Sequence, residues 1–449
     1  MPSTAGAHLA RLQLLVASVA VVVAITSQPV VARATSGMAP KRLPIPALSV
    51  VTHDRPVRIA AALKRVRDGR GRSWESDVPY AVGGQLVASA HPIARTASAV
   101  LYQHARLGVR SYQVPVATPG TYFVDMFVAE TQGARPGTRV WDVTAEGRTA
   151  AVSVDVAHMV GRNRAAHVVF FAPVVDGTLN LHVTARQGVP LVGAVEVDWR
   201  NGEMADRTLF TDGFDGVAGQ PPNPLNWSRD VGGGGFGNQE LQTYTSRPRN
   251  AALDGAGHLL ITARHEKVTG TDGITRHYTS ARLKTAGHFT FRYGTAEARI
   301  RVPAGDGLWP AFWAMGSNFA AVGWPRCGEM DVMENRGSQP RVSHATAHGS
   351  SSDGLPWQAG RRLRLPHPLR SDYHTFRVVW GPSAMAMSVD GRTYSSVSSA
   401  DIAPNAHWNF KHPFYLLLDL AVGGVWPGPP TASTHFPATL AVDYVTVRG

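Results

Sequence analysis

The stretch Cys327-Gly-Glu-Met-Asp-Val-Met-Glu-Asn-Arg336 decides how the second half of the chain is interpreted. Apolar residues separate its three carboxylates, Glu329, Asp331 and Glu334, and side chains alternate between the two faces of a β-strand. Glu329 and Asp331 therefore share one face, whereas Glu334 falls on the other face of a regular strand. One bulged residue between Asp331 and Glu334 restores the phase. The pattern predicts a bulged strand that projects three acids into one cleft.

Carboxyl groups that converge on one strand face suit the hydrolysis of glycosidic bonds. Hydrolysis with retained configuration uses a carboxylate nucleophile and a protonated carboxyl about 5–5.5 Å apart. Crowded acids also resist simultaneous ionisation, so one of them holds a proton near neutral pH. Two other interpretations stay open on this pattern alone, namely a solvated acidic strand face and a binding site for a hard cation.

Several tryptophans lie near this stretch. Trp309, Trp313 and Trp324 precede it, and Trp426 lies further on in Gly423-Gly-Val-Trp-Pro-Gly428. The apolar C–H face of a sugar ring stacks on an indole, so exposed tryptophans beside paired acids indicate a saccharide-binding cleft. A tryptophan taken alone is more often part of a core, and the spacing of Trp309 and Trp313 around a proline leaves their relative direction open.

Short apolar runs separated by turn signals continue along the whole chain. The 449 residues include 45 glycines and 31 prolines, and no stretch of useful length has a helical period of 3.6 residues. Runs between 57 and 199 predict one all-β sandwich. Runs from 208 onward, such as the alternating stretch from Glu297 to Val302, predict a second one. Asn201-Gly202 carries the turn signal expected at a domain boundary.

The first residues have the features of an export signal. Arg11 precedes an apolar stretch from Leu12 to Ile25, and Ala32-Arg33-Ala34 supplies a small-x-small cleavage pattern. Residues 1–34 are therefore predicted to be a signal peptide and residues 35–56 a linker. The apolar stretch is short for a membrane span, so we expect a secreted protein without membrane attachment after cleavage.

The net charge of +12 comes mainly from arginines that are spread along the chain. A generally basic surface is therefore preferred to nucleic-acid binding, since no Lys/Arg block and no nucleic-acid motif occurs. Cys327 is the only cysteine, which excludes an intramolecular disulfide. A thiol nucleophile paired with His344 or His348 is a chemical alternative. No cysteine-protease motif accompanies it, so we expect Cys327 to be a packing residue beneath the cleft.

Several motifs in order make residues 208–449 resemble glycoside hydrolase family 16, and above all its laminarinase branch. The matching motifs are Gly233-Gly-Gly-Phe-Gly-Asn-Gln-Glu-Leu-Gln242, Tyr278-Thr-Ser-Ala-Arg-Leu-Lys284, Gly305-Asp-Gly-Leu-Trp-Pro-Ala-Phe-Trp313, Gly328-Glu-Met-Asp-Val-Met-Glu334 and Leu420-Ala-Val-Gly-Gly-Val-Trp-Pro-Gly428. The resemblance implies a β-jelly-roll (concanavalin-like) sandwich with a concave cleft across one sheet.

The resemblance also implies roles for single residues. Glu329 would be the nucleophile, Glu334 the acid/base and Asp331 a supporting acid, with His348 close to them. Sugar contacts are implied for Asn238, Arg282, Trp309, Trp313 and Trp426. One departure concerns Asp419, which stands where the family commonly has asparagine.

Family members often hold a structural calcium, and the resemblance offers only Asp443 as a matching ligand. Metal ligands are therefore left unassigned, and no cofactor is expected to be required.

These roles predict a secreted, monomeric endo-1,3-β-glucanase that works by double displacement on a polysaccharide. A related hydrolase of galactan, agarose or carrageenan is the enzymatic alternative, because its motifs around the acids would be the same. A non-catalytic β-glucan receptor on the same fold is the alternative from another class. Such receptors typically lose the glutamates that this chain keeps.

Residues 57–200 resemble a malectin-like carbohydrate-binding domain. The matching stretches are Leu101-Tyr-Gln-His-Ala-Arg106, Tyr112-Gln-Val-Pro-Val-Ala-Thr-Pro-Gly-Thr-Tyr122 and Gly137-Thr-Arg-Val-Trp-Asp-Val143. The resemblance implies a β-sandwich that binds sugar through aromatic residues at loop tips, and Tyr102 matches one of them. The aromatic pair that often follows Glu130 is replaced by Thr131-Gln132. A sugar-binding module and an inert spacer therefore both stay open.

Overall fold

A computed structural model describes residues 48–201, 207–270 and 272–449 of the protein. The predicted signal peptide, the first part of the predicted linker and Gly202 of the predicted boundary lie outside these residues. Leu48–Gly449 form one compact unit. In this part of the chain, no helix has the length and apolar character needed to cross a membrane.

Residues 48–201 fold into short strands with two helical turns. The strands are β1 (Val57–Ala60), β2 (Val66–Arg67), β3 (Ser73–Ser76), β4 (Ala81–Val82), β5 (Gln85–Ala88), β6 (His104–Leu107), β7 (Ser111–Pro115), β8 (Gly120–Val128), β9 (Val140–Ala145), β10 (Arg148–Val154), β11 (Ala166–Val174), β12 (Thr178–Gln187), β13 (Leu191–Val192) and β14 (Ala194–Asn201). The helical turns are α1 (Val100–Gln103) and α2 (Val156–Val160).

These strands form the first sandwich. A sheet in the order β11-β8-β14-β1-β3-β2 accompanies a second in the order β10-β9-β12-β7-β4, and β13-β6-β5 form a small third sheet. Alternate residues of β12, Leu179 and Leu181, are fully buried and pack with Trp141 and Val143 of β9 in one core. The period of two seen in the sequence therefore corresponds to strands with one buried face.

The predicted linker is wrong for its second part, because residues 48–56 belong to the first sandwich. Val51 is fully buried in its core, and its backbone N–H donates a hydrogen bond of 3.0 Å to the carbonyl of Pro115. Val51 also forms an isolated bridge with Val116. One bridge residue leaves no periodic signal, which explains why the sequence pattern missed it.

Residues 207–449 form the second sandwich. Its strands are β15 (Thr208–Asp212), β16 (Ser228–Asp230), β17 (Gln242–Tyr244), β18 (Ala251–Leu253), β19 (Leu259–Thr269), β20 (Thr275–Ser280), β21 (Arg282–Lys284), β22 (Gly294–Arg301), β23 (Leu308–Gly316), β24 (Glu329–Glu334), β25 (Val342–Ser350), β26 (Pro356–Arg364), β27 (His374–Trp380), β28 (Ala384–Val389), β29 (Arg392–Ser398), β30 (Phe414–Val422) and β31 (Ala438–Arg448). A helical turn α3 (Phe319–Val322) and a 3₁₀ turn (Gly235–Gly237) interrupt them.

Two large sheets make this second sandwich. The first follows the order β17-β20-β19-β31-β22-β27-β28-β29, with β15 and β18 added at β31 and β19. The second follows the order β16-β21-β30-β23-β24-β25-β26. Leu418, Phe312 and Met330 come from three adjacent strands of the second sheet and are fully buried in the core. The all-β prediction with two sandwiches is thereby confirmed.

The two sandwiches pack directly against each other. Phe123 of β8 is fully buried in a cluster with Ala384 and Ala386 of β28. Gly381 is required at this contact, because an added Cβ atom would lie 2.3 Å from the Phe123 ring. The first sandwich is thus fixed to the sheet that lies opposite the site described below.

A polar cluster centred on His167 is buried at the same junction. Nδ1 of His167 lies 2.7 Å from Asp125, and its Nε2 contacts Asp401 of the second sandwich. Burial alone lowers the pKa of His167, but the two carboxylates outweigh it and raise the pKa to about 10. The cluster therefore holds a buried charge that is neutralised from both sandwiches.

The predicted sugar contact of Tyr102 is wrong in this arrangement. Only 1% of Tyr102 is exposed, its ring packs against Phe127, and its hydroxyl donates a hydrogen bond of 2.8 Å to Asp401. The residue lies in α1 at the junction instead of at an open loop tip. A resemblance within one domain could not reveal that a second domain covers the side chain.

Replacing Leu418 tests the core beneath the second sheet. Leu418→Ala deletes a fully buried side chain from the central strand β30 and should lower the free energy of unfolding by about 2–5 kcal/mol. Leu225→Ala removes a leucine that is 78% exposed and should change it by less than about 0.5 kcal/mol. Denaturant unfolding followed by tryptophan fluorescence measures both, and equal losses would contradict the packing described.

Candidate active site

A β-bulge in β24 brings three carboxyl groups onto one face of the second sheet. The adjacent residues Phe312 and Trp313 of β23 pair with Met333 and Asp331, which leaves Val332 as the extra residue. Val332 and Met333 are both fully buried, although neighbours on a regular strand point to opposite faces. The strand therefore regains its phase after the bulge, as the sequence predicts.

Glu329, Asp331 and Glu334 form one hydrogen-bonded and electrostatic cluster. One carboxyl oxygen of Glu329 and one of Asp331 lie within 4.8 Å of each other. Nε2 of His348, on the neighbouring strand β25, lies 2.9 Å from Oδ2 of Asp331. The indole N–H of Trp309 donates a hydrogen bond of 2.9 Å to Oε1 of Glu334. The four predicted catalytic residues thus lie together.

Burial and like charge raise the pKa of all three acids. Burial is the main cause for Glu329, and together with the charge of Asp331 it raises the pKa to about 8. Burial also raises the pKa of Glu334, to about 7, against the hydrogen bond from Trp309. The pKa of Asp331 lies well above its ordinary value because of burial and the charge of Glu334. The cluster therefore retains protons at neutral pH.

The site contains one group of side chains with the ligand types that a metal ion uses. One ligand atom from each of Glu329, Asp331 and His348 lies within 4.8 Å of the others. These three side chains are those of the acid cluster described above, in which Nε2 of His348 contacts Asp331. Asp443, which matches one usual calcium ligand of the family, forms an ion pair with Arg299. Among the described residues, it is not part of a group of three or more potential metal ligands.

Tryptophan side chains flank the acids. Trp309 and Trp313 lie on the same face of β23, since residues four apart on a strand point the same way. The Trp309 ring centre is 5.2 Å from that of Trp426. Trp324, which is 47% exposed, has its ring centre 6.2 Å from that of His348. Aromatic rings therefore stand on both sides of the carboxyl cluster.

Asp419 anchors Trp313. Oδ1 of Asp419 accepts a hydrogen bond of 2.6 Å from the indole N–H of Trp313. The Tyr244 hydroxyl lies 3.1 Å from both Asp419 and Glu240. The single hydroxyl proton of Tyr244 is donated to only one of the two carboxyl groups at a time. Burial raises the pKa of Asp419 to about 6 and that of Glu240 above its ordinary value.

The predicted sugar-contacting residues Arg282 and Asn238 border the same network. The Arg282 guanidinium lies 4.8 Å from the Trp313 ring centre and 5.1 Å from that of Phe236. The Asn238 side chain donates a hydrogen bond of 3.3 Å to Glu240. Both residues therefore lie beside the platform that Trp313 forms.

Sequence reasoning missed four residues of the site. Tyr244 of β17 contacts Asp419, and Glu240, which precedes β17, contacts the same Tyr244 hydroxyl. His344 meets the Trp426 ring edge to face at 4.9 Å, and the Arg336 guanidinium lies 5.4 Å from the same ring centre. Glu240 was within a motif that carries the resemblance, but pairings between distant strands have no signal in residue spacing.

An antiparallel two-sheet sandwich with paired acids between tryptophans on one sheet face defines a glycoside hydrolase of the jelly-roll type. The family model for glycosyl hydrolases family 16 matches residues 240–446, and that for the malectin domain matches residues 57–197. The chain belongs to glycosyl hydrolases family 16, with a malectin domain before the catalytic domain. Both predicted resemblances are confirmed.

Relatives of known function match about half of the chain. A β-glucanase from Rhodothermus marinus is 41% identical over 247 residues, which are 53% of this chain and 84% of the relative. A glucan endo-1,3-β-glucosidase from Cryptopygus antarcticus is 32% identical over 270 residues, 56% of this chain and 92% of the relative. The solved endo-β-1,3-glucanase from Pyrococcus furiosus is 42% identical with a TM-score of 0.50, over 54% of this chain and 94% of that one.

Two substitutions at Asp419 test the anchoring of Trp313. Asp419→Ala leaves the indole N–H of Trp313 without its acceptor and should cost about 1–3 kcal/mol of stability. Asp419→Asn keeps a carbonyl acceptor and should lose less, with tryptophan near-UV circular dichroism close to that of the parent. Thermal unfolding and the dichroism spectrum measure both effects. Identical spectra and stabilities for the two variants would contradict the anchoring role.

Proposed function

We propose that the protein is a secreted, monomeric endo-1,3-β-glucanase that hydrolyses its substrate with retention of configuration. The bulge at Val332 carries the proposal, because it directs Glu329 and Glu334 to one face. The substrate class is supported by the relatives named as β-glucanase and glucan endo-1,3-β-glucosidase. Secretion is supported by the export pattern of residues 1–34.

In the first step, Glu334 donates its proton to the glycosidic oxygen and Glu329 attacks the anomeric carbon. The raised pKa keeps Glu334 protonated near neutral pH. The attack needs Glu329 as a carboxylate, so the neighbouring Asp331, whose pKa lies well above its ordinary value, carries the proton of this pair. The products are a released glucan end and a covalent glycosyl-enzyme.

In the second step, Glu334 acts as a base. Its carboxylate, left by the first proton transfer, takes a proton from water, and the resulting hydroxide attacks the anomeric carbon. The bond to Glu329 breaks, so Glu329 returns as a carboxylate and Glu334 as an acid. Trp309 holds Glu334 in one orientation through both steps by its hydrogen bond.

Internal cutting of a long chain is supported by aromatic rings on both sides of the acids. Trp426 extends the site beyond Trp309 and Glu334, and the exposed Trp324 extends it beyond His348. A chain bound across the sheet thus finds a stacking surface before and after the cleaved linkage. Arg282 beside Trp313 adds hydrogen-bond donors.

Replacing each glutamate tests the two roles. Glu329→Gln and Glu334→Gln should each lower kcat on laminarin by about 10²–10⁴-fold or more, because the nucleophile or the acid is removed. Glu297→Gln, on the opposite sheet and hydrogen-bonded to Tyr444, is the control and should keep parental activity. Reducing-sugar release measures the rates, and NMR of the first product anomer measures retention. Parental rates for Glu329→Gln would remove the proposed nucleophile.

A substrate screen separates the alternatives. Laminarin and curdlan should be cut far faster than agarose. Cutting of agarose alone would replace the substrate and keep the hydrolase mechanism. Binding of laminarin without any cleavage would instead support a receptor.

The pH dependence follows from the raised pKa of Glu334. A general acid must hold its proton, and the three acids titrate as one coupled cluster, so kcat/KM should fall when the cluster loses its last proton, at about pH 7 or above. An isolated glutamate would lose its proton near pH 4.3. A pH profile of kcat/KM on laminarin checks this, with stability verified at each pH. An alkaline limb below pH 5 would contradict the role of burial.

A further inference from the structure

Arginines from both sandwiches converge on a pocket at their junction. A cavity of about 830 Å³ is lined by Arg162 and Arg164 of the first sandwich and by Arg361 and Arg362 of the second. Arg95 lies beside it and donates a hydrogen bond of 3.0 Å to the Gly360 carbonyl in β26. We call these five side chains the junction arginines. Among the described residues, none of the five forms an ion pair with a carboxylate within 4.0 Å.

Three of the junction arginines, Arg95, Arg164 and Arg361, are close enough for their charges to repel each other. Burial lowers the pKa of Arg361 to about 10, and the charges of Arg95 and Arg164 add to this effect. Burial also lowers the pKa of Arg95, with Asp401 acting against it and Arg164 adding to it. Asp401 is already engaged by His167 and Tyr102. The pocket thus concentrates positive charge without a fixed counter-charge.

Backbone carbonyl groups hold two of the junction arginines, Arg95 and Arg361, in place. Arg361 donates hydrogen bonds of 3.5 and 3.2 Å to the carbonyls of Met159 and Val160 in α2. Arg95 has a left-handed backbone with a φ of 73°, which is unfavourable for a residue with a long side chain. The hydrogen bonds of Arg95 and Arg361 cross between the two sandwiches and keep these two charges at the junction.

We propose that the junction arginines bind an oxyanion group, such as sulfate, phosphate or carboxylate, and that the bound anion stabilises the contact between the two sandwiches. A planar guanidinium offers paired N–H donors that match two oxygens of such a group. Arginines of both sandwiches contribute, so one anion neutralises charges on both sides. The anion is either a free ion or an acidic substituent on a polysaccharide.

The position of the pocket favours a polysaccharide as the source. Arg362 of β26 pairs with His344 of β25, which in turn pairs with Glu334 of β24. Neighbouring strands lie about 4.8 Å apart, so the backbone of Arg362 is about 10 Å from that of Glu334. A glucan with acidic side groups could therefore be cut in the cleft and held at the junction. This part rests on the proposed function, whereas the binding of the anion does not.

Thermal unfolding with inorganic phosphate tests the site. At constant ionic strength, replacing chloride by phosphate should raise the unfolding midpoint of the parent by at least about 3 °C. Arg164→Gln should lose this shift and should unfold no earlier than the parent in chloride, because it relieves repulsion. Arg377→Gln, whose guanidinium pairs with Glu297 on the opposite sheet, is the control and should keep the shift. Equal phosphate shifts in the parent and Arg164→Gln would overturn the proposal.

Kinetics distinguish the two sources of the anion. For a carboxymethylated β-1,3-glucan, Arg164→Gln should raise KM at least about 5-fold, while kcat and KM on neutral laminarin stay unchanged. An unchanged KM on both glucans, together with the phosphate shift, assigns the site to a free ion. Failure to cleave either glucan would contradict the proposed function and leave the thermal result valid. Stabilisation by duplex DNA but not by phosphate would overturn the proposal.

Discussion

A single extra residue in β24 sets the geometry of the site. The period of two in a β-strand would direct Glu334 away from Glu329, and the bulge at Val332 reverses this. The buried pair Val332 and Met333 fills the core side of the bulge, so the interruption leaves no apolar surface exposed. The strands on either side, β23 and β25, remain paired with β24 before and after it.

The crowding of three acids on one sheet face raises their pKa values. Acids forced onto one face of a tightly packed sheet lose water and meet like charge, and both effects favour the protonated form. A hydrolase needs one protonated and one ionised carboxyl at the same pH. Asp331 makes that state accessible because it can carry the proton that Glu329 must lose. The surrounding sheets supply the stability that the crowded acids reduce.

The sequence predicted local features well. Alternation and the phase of the three acids were sufficient for the bulge. The relative direction of Trp309 and Trp313 stayed open until the structure showed that β23 is regular between them. Contacts between distant strands were not accessible in this way. The linkage of Trp313 to Asp419 and onward to Glu240 depends on strand order in the sheet, which residue spacing does not encode.

The junction between the two domains also could not be predicted from the sequence, because its contacts join residues that are far apart in the chain. Tyr102 matches a sugar-contacting aromatic of malectin-like domains, yet its hydroxyl serves the buried cluster of His167 and Asp401. A buried charged cluster is costly when one partner is removed, because the remaining charges lose both water and counter-charge. Replacing Asp401 or Tyr102 would leave His167 and Asp125 buried at the junction with part of their hydrogen bonding lost. The first sandwich is therefore part of the framework that holds the catalytic domain, and a flexible spacer would not need such a cluster.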